Sequence, residues 1–160
     1  MSDRGYWLMK SEPESYGIDH LARDGRTRWD GVRNYRARNF MRDQMRVGDG
    51  VLFYHSSTEP PGIAGLARVC SEPYPDPTQF DSKSKYYDPD TTQEEPRWHL
   101  VDIEFVSKFE ELLPLAFLRE QAALEGMALL QRGQRLSVQP VTPAQWRHVL
   151  DLAGIADARL

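Results

Sequence analysis

The chain has 160 residues and a mass of 18.5 kDa, the size of one compact domain with room for a sizeable core. Its 40% hydrophobic and 28% charged content excludes a long disordered chain, and no apolar run reaches the ~20 residues of a membrane-spanning helix. A lone cysteine, Cys70, excludes an internal disulfide or a cysteine-built zinc site, and a net charge of −4 argues against tight, non-specific nucleic-acid binding.

Met1 to Gly5 shows no apolar signal-peptide core, so the expected localisation is cytoplasmic. Tyr6 to Lys10 is apolar and aromatic and predicts a first strand, stopped by Pro13. Ser15 is placed to cap a short helix with Ile18, Leu21 and Ala22 on its apolar side, ended by Gly25. Arg28-Trp29-Asp30-Gly31 reads as a turn.

Arg33 to Arg46 predicts an amphipathic helix. Ala37, Phe40, Met41, Gln44 and Met45 fall on one side; Tyr35, Arg38, Asn39, Arg42 and Arg46 fall on the other. Arg38, Arg42 and Arg46 follow an i, i+4, i+8 spacing and would form one ridge, whose mutual repulsion a phosphate or a nearby acid would relieve. Between Arg23 and Arg46 there are eight arginines against three aspartates. This stretch is therefore +5 and the remainder −9, one basic segment on an acidic body. The asymmetry fits a localised anionic partner, and equally a solvated helix face that meets acids elsewhere in the fold.

Gly48-Asp49-Gly50 is a turn, and Val51 to His55 is a continuous apolar run, as in a strand covered on both faces. After a loop from Ser56 to Gly62, Ile63 to Cys70 predicts the return strand of a hairpin, with Gly65 marking a bulge or a close approach to the backbone. Glu72 to Arg97 is too polar and broken to be core, yet carries Phe80, Tyr86 and Tyr87; such a loop is usually functional or mobile. Trp98 to Val106 alternates, with Val101, Ile103 and Phe105 on one face. Pro114 to Gln121 and Gly126 to Arg132 read as short helical pieces, and Leu136 to Val138 as a last strand. Thr142-Pro143 opens a final helix lined by Trp146, Val149, Leu150 and Ala153 and closed by Gly154. Five or six strands with short flanking helices predict a small α+β barrel, a single domain over 1–155 with a tail at 156–160.

No Walker loop, GxGxxG, HExxH or GxSxG motif is present. His20, His55, His99 and His148 lack metal-ligand spacing, and Glu94-Glu95 and Glu110-Glu111 read as solvated surface. No metal, cofactor or catalytic residue is assigned. What stands out is a set of aromatic and polar residues near turns: Lys10 and Ser11; Trp29, Asn34, Tyr35 and Asn39; Phe53, Tyr54, His55 and Ser56. Aromatic faces stack on a planar base, and polar groups read its edge once it leaves the stack. Each also has a plainer reading. Trp7 and Trp146 read as core, Trp29 equally well as core or cleft, Asn39 as a solvated helix residue, and Tyr86 and Tyr87 as a loop anchor.

At these residues the sequence resembles the EVE domain family. The matching segments are Trp7 to Pro13, Trp29 to Tyr35 with Ala37, Asn39 and Arg42, Gly48-Asp49, Phe53 to Ser56, Gly62 to Gly65, Asp81 to Ser84 with Tyr86-Tyr87, and Pro96-Arg97-Trp98 with Val101-Asp102. The resemblance implies a PUA-like β pseudobarrel, similar to YTH domains that hold a methylated adenine in an aromatic cage. It also implies a reader of modified bases. By that analogy Lys10 and Ser11 form the pocket floor, Trp29 one wall, and Asn34, Tyr35 and Asn39 the mouth. Phe53, Tyr54, His55 and Ser56 supply further walls and polar contacts, and Arg33, Arg38, Arg42 and Arg46 hold flanking phosphates. The expected function is a non-catalytic module binding DNA or RNA, with no membrane partner. The alternatives are a small enzyme acting on a nucleotide or modified base, with His55 as a candidate base, and a protein-interaction domain using the polar loop.

Overall fold

The computed structural model describes residues 4–133 and 135–156; the tail from 157 onward lies outside them. Its frame is a curled six-stranded mixed sheet, a half-barrel. The strands are β1 (Tyr6–Ser11), β2 (Arg26–Arg28), β3 (Gly50–His55), β4 (Gly62–Val69), β7 (Asp102–Pro114) and β8 (Val138–Val141), in the order β2-β7-β4-β3-β1-β8. β5 (Tyr74–Pro75) and β6 (His99–Leu100) form a separate two-stranded ribbon.

β3 runs parallel to β1 and antiparallel to β4. With strands on both sides and packing on both faces, Val51 to Tyr54 are all buried, which is why this stretch reads as a continuous apolar run. Along β1 the period of two sorts the core. Trp7 and Met9 pack with Val51, Phe53, Trp29 and the helices between β1 and β3. Leu8 packs with Leu52, Leu66 and the C-terminal helix.

Before β2 the chain forms two short helices, α1 (Pro13–Tyr16) and α2 (Ile18–Asp24). Ser15 lies inside α1 and caps nothing; α2 begins after Gly17 and stops at Gly25, whose φ is +83°. The segment read as a turn from Arg28 begins inside β2, an edge strand that ends at Arg28 and pairs with β7. Its three residues Arg-Thr-Arg carry no apolar period by which to recognise it.

The helix expected over 33–46 is shorter and of two kinds. α3 (Tyr35–Asn39) is capped by the Asn34 side chain, which accepts from the Ala37 N–H at 3.1 Å. It continues as one π-helical turn (Phe40–Gln44) and ends at the extended Met45. Ala37, Phe40, Met41 and Met45 are buried as expected, but Gln44 is exposed. The wider turn and early stop leave Arg46 beyond the helix, so the expected three-arginine ridge does not form.

Gly65 carries both features expected of it. The β4 register shifts beside it, and a Cβ there would lie 2.4 Å from the Ser107 carbonyl oxygen. The strand expected over 98–106 is broken at Val101 into β6 and a β7 that runs on to Pro114. The helical pieces reduce to α4 (Leu115–Arg119) and single 3-10 turns, Ala122–Leu124 and Ala128–Leu130. The last strand starts at Val138, two residues later than expected. α5 (Pro143–Ala153) matches its reading: Thr142 and Gln145 form a reciprocal capping box, and Gly154 adopts the left-handed conformation. No helix of the described residues is long and apolar enough to cross a membrane.

The polar stretch from Glu72 to Arg97 is neither structureless nor wholly outside the core. Gln79 is fully buried, and its amide oxygen accepts from Thr91 Oγ1 and the Arg97 and Trp98 N–H groups, while Nε2 donates to the Asp76 and Trp98 carbonyls. The stretch is therefore a strap held by hydrogen bonds rather than by apolar packing.

Candidate functional site

A cavity of about 800 Å3 opens where the C-terminal end of β1 meets the segment after β2 and the strap. Four of the ten residues expected in a base pocket line it: Lys10, Ser11, Trp29 and Ser56. The Ser11 hydroxyl donates to the Tyr16 carbonyl at 2.6 Å, so toward a ligand its oxygen is an acceptor. Burial lowers the Lys10 pKa, and its ammonium sits 5.8 Å from the centre of the Tyr54 ring. Trp29 is both things the sequence allows. It is only 8% exposed, its edge-to-face partner is Phe53 at 5.6 Å, and it still borders the cavity.

The other six lie elsewhere. Phe53 stands behind Trp29 in the core, and Tyr54 packs in the opposite core layer. Asn34 caps α3, and Asn39 accepts from the Arg38 guanidinium. Tyr35 stacks on Trp98, 4.9 Å between ring centres. His55 uses Nε2 to accept the Ile18 N–H at 3.1 Å, holding the start of α2. That nitrogen is thus already engaged, and His55 does not border the cavity.

Of the four arginines expected at phosphates, only Arg33 borders the cavity. It donates to Asp76, Thr78 Oγ1 and twice to the Tyr86 carbonyl. Arg38 is directed at Asn39 and the Arg97 carbonyl, Arg42 pairs with Asp43, and Arg46 lies past the helix. Cations at the cavity that the sequence reading did not select are Arg28, Lys85 and Arg135. Arg28 belongs to the basic segment from Arg23 to Arg46, whereas Lys85 and Arg135 come from distant segments with no local pattern to announce them.

Tyr86 is the wall the sequence reading placed only as a loop anchor. Its ring lies directly on Gly31, where a Cβ would fall 2.5 Å from Cζ. Gly31 also has φ of +83°, a conformation costly for any other residue. A Gly31→Ala substitution is therefore expected to destabilise the protein by roughly 1–3 kcal/mol. It should also push Tyr86 off the cavity wall; thermal melting and the tyrosine environment in near-ultraviolet circular dichroism check the two effects.

His55 makes a pH prediction. Burial holds its pKa below the usual histidine value, Lys108 adding to the shift and Asp19 opposing it. The unfolded chain, titrating near about 6.5, then binds a proton before the folded one. Stability is full above that pH and is lost as pH falls toward the depressed folded value. His99, lowered by burial and then by Arg42 and Arg38, acts in the same direction. A His55→Gln variant is expected to show a shallower decline in Tm between neutral and mildly acidic pH than the parent.

The half-barrel with helices packed on both faces and a cavity at the end of its parallel pair is the PUA-like pseudobarrel the sequence anticipated. Within that class the chain belongs to the EVE domain family, whose model matches residues 5–152. Thymocyte nuclear protein 1 of Danio rerio is 46% identical over 91% of this chain and 71% of its own. A solved protein from Pseudomonas syringae is 51% identical with a TM-score of 0.89, covering 92% of this chain and 99% of that one. The human THYN1 protein, solved in complex with 5-methylcytosine-containing DNA, is 42% identical with a TM-score of 0.88, covering 95% and 99%.

Proposed function

We propose that this chain is a non-catalytic reader of a modified base in DNA, with the base turned out of the helix into the cavity beside Trp29. The observation that carries the reading is the cavity itself. It joins an indole and a phenol ring, Trp29 and Tyr86, to a hydroxyl acceptor on Ser11 and to cations at its rim. Its volume lies within the range of small-molecule sites and is ample for one nucleobase with its sugar. The relative solved with 5-methylcytosine-containing DNA supports DNA as the partner and a cytosine modification as the feature read.

Physically, extrusion costs unstacking energy, which stacking on aromatic rings recovers in part. Lys85, Arg28 and Arg135 also line the cavity and would meet the phosphates of an extruded nucleotide, while the acidic remainder of the chain limits non-specific binding. Equilibrium titration with matched duplexes, one carrying a central 5-methylcytosine, tests the reading. Tighter binding of the modified duplex, with the nucleoside recovered unchanged, is expected; equal affinity for both duplexes overturns it.

A further inference from the structure

A ladder of alternating cationic and aromatic groups leads out of the cavity. The Arg33 guanidinium lies 5.5 Å from the centre of the Tyr86 ring and 5.3 Å from that of Trp98. Trp98 stacks at 20° on Tyr35. Arg38 lies 4.8 Å from the Tyr35 ring centre and 6.0 Å from Trp98. Tyr86 borders the cavity, and Tyr35 at the far end is 53% exposed.

Each rung is fixed from behind. Trp98 is buried, and its Nε1–H donates to Asp88 at 2.7 Å. Arg33 is tied to Asp76. Arg38 donates to Asn39 Oδ1 and the Arg97 carbonyl, which uses three of its five N–H groups and no carboxylate. Its positive charge therefore has no anion among its hydrogen-bond partners. One turn along, Arg42 is paired only with the exposed Asp43, an ion pair that a phosphate can exchange at little cost. An exposed aromatic ring already ordered by a buried one loses little entropy when a second flat group stacks on it.

We propose that the exposed face of Tyr35 is a second nucleotide subsite, which stacks an unpaired base flanking the modified one while Arg38 and Arg42 hold its phosphate. The proposal rests on the reading of the cavity as a modified-base pocket. It makes a modified base beside locally unpaired DNA a tighter ligand than one within a perfect duplex.

The test compares two 5-methylcytosine duplexes, one fully paired and one with the nucleotide next to the modified base left without a partner, each alongside its unmodified counterpart. The unpaired neighbour is expected to tighten binding about fivefold or more, the lower end for stacking of one base. Tyr35→Ala should abolish that gain while leaving the ratio of modified to unmodified affinity intact, and Tyr35→Phe should retain both. Trp29→Phe should reduce the modified-to-unmodified ratio and leave the gain. A gain undiminished in Tyr35→Ala, or no gain in the parent, overturns the second subsite. A parent that gains from the unpaired neighbour but ignores the methyl group refutes the cavity reading instead, so the two failures are distinguishable. Thermal melting of Tyr35→Ala confirms that a lost ring, not an altered fold, is being read.

Discussion

Trp29→Ala is expected to weaken binding of DNA carrying the modified base by roughly 5- to 140-fold, the loss of one aromatic–base stack worth about 1–3 kcal/mol. Binding of unmodified DNA, which engages the rim cations without filling the cavity, should change far less. The substitution also empties a space in the core. Trp29 is 8% exposed and packs edge-on against Phe53, and truncation of a buried tryptophan costs about 3–5 kcal/mol. Trp29→Phe therefore accompanies it, keeping a ring against Phe53 with a smaller stacking surface. An intermediate loss of affinity with near-parental melting assigns the effect to the cavity. Unchanged preference in both variants removes Trp29 from the site.

Asp76→Ala is expected to be among the most damaging single changes outside the sheet. The Asp76 carboxylate is buried and accepts from the Gly31 and Thr78 N–H groups, from Thr78 Oγ1 and from the Arg33 guanidinium. Burial opposes its ionisation, but these donors outweigh burial and hold its pKa below the usual aspartate value. Removing one partner of such a pair typically costs about 3–5 kcal/mol, here because the partly buried Arg33 guanidinium and the Gly31 and Thr78 donors lose their acceptor. For a chain of this size that is roughly a 10 °C fall in Tm. Because Arg33 and Gly31 carry Tyr86, the damage should reach the cavity, and the variant should lose modified-base affinity as well as stability. The sign with pH follows from the depressed folded pKa. The contribution is present above the unfolded aspartate value and is lost as pH falls through the folded one, so the stability gap between parent and variant narrows in strong acid. Asp76→Asn, which keeps an acceptor but no charge, should fall between the two.

The parts of the fold that were legible in the sequence are those in which local pattern and global packing agree. Val51 to Tyr54 read as a doubly covered strand and are buried between β1 and β4. Thr142-Pro143 opened α5, and Gly154 closed it. The parts that misled are held by contacts a linear reading cannot contain. The single π-helical turn after Asn39 ends the basic helix at Gln44, so Arg46 does not join Arg38 and Arg42 on one ridge. The strap reads as a polar loop because its core is hydrogen-bonded: Gln79 and Asp76 do there what apolar residues do elsewhere.

The same distinction divides the site. Lys10, Ser11, Trp29 and Ser56 reach the cavity because they sit at strand ends or just beyond a strand, at the end of the sheet where the cavity opens. Tyr54 and His55 follow Phe53 in a strand whose alternation sends neighbours to opposite faces, so all three were never compatible with one pocket. Tyr86 and Arg135 could not be selected from spacing at all. Beside the family resemblance, the signal for Tyr86 was Gly31: a glycine after aspartate marks a turn, and here the turn also leaves room for a ring.

The most direct test of the modified-base reading follows the tryptophan indole N–H resonances of the uniformly 15N-labelled protein. The chain has four tryptophans, Trp7, Trp29, Trp98 and Trp146, and Trp29→Phe assigns the one of interest. A base entering the cavity must alter the field at Trp29 through its ring current, whereas Trp146, buried in the other core layer, is remote from it. With a duplex containing 5-methylcytosine, the Trp29 signal is expected to shift at concentrations where the unmodified duplex leaves it in place, and Trp146 should stay still with both. A modified duplex that binds while the Trp29 signal stays at its free position would contradict the account.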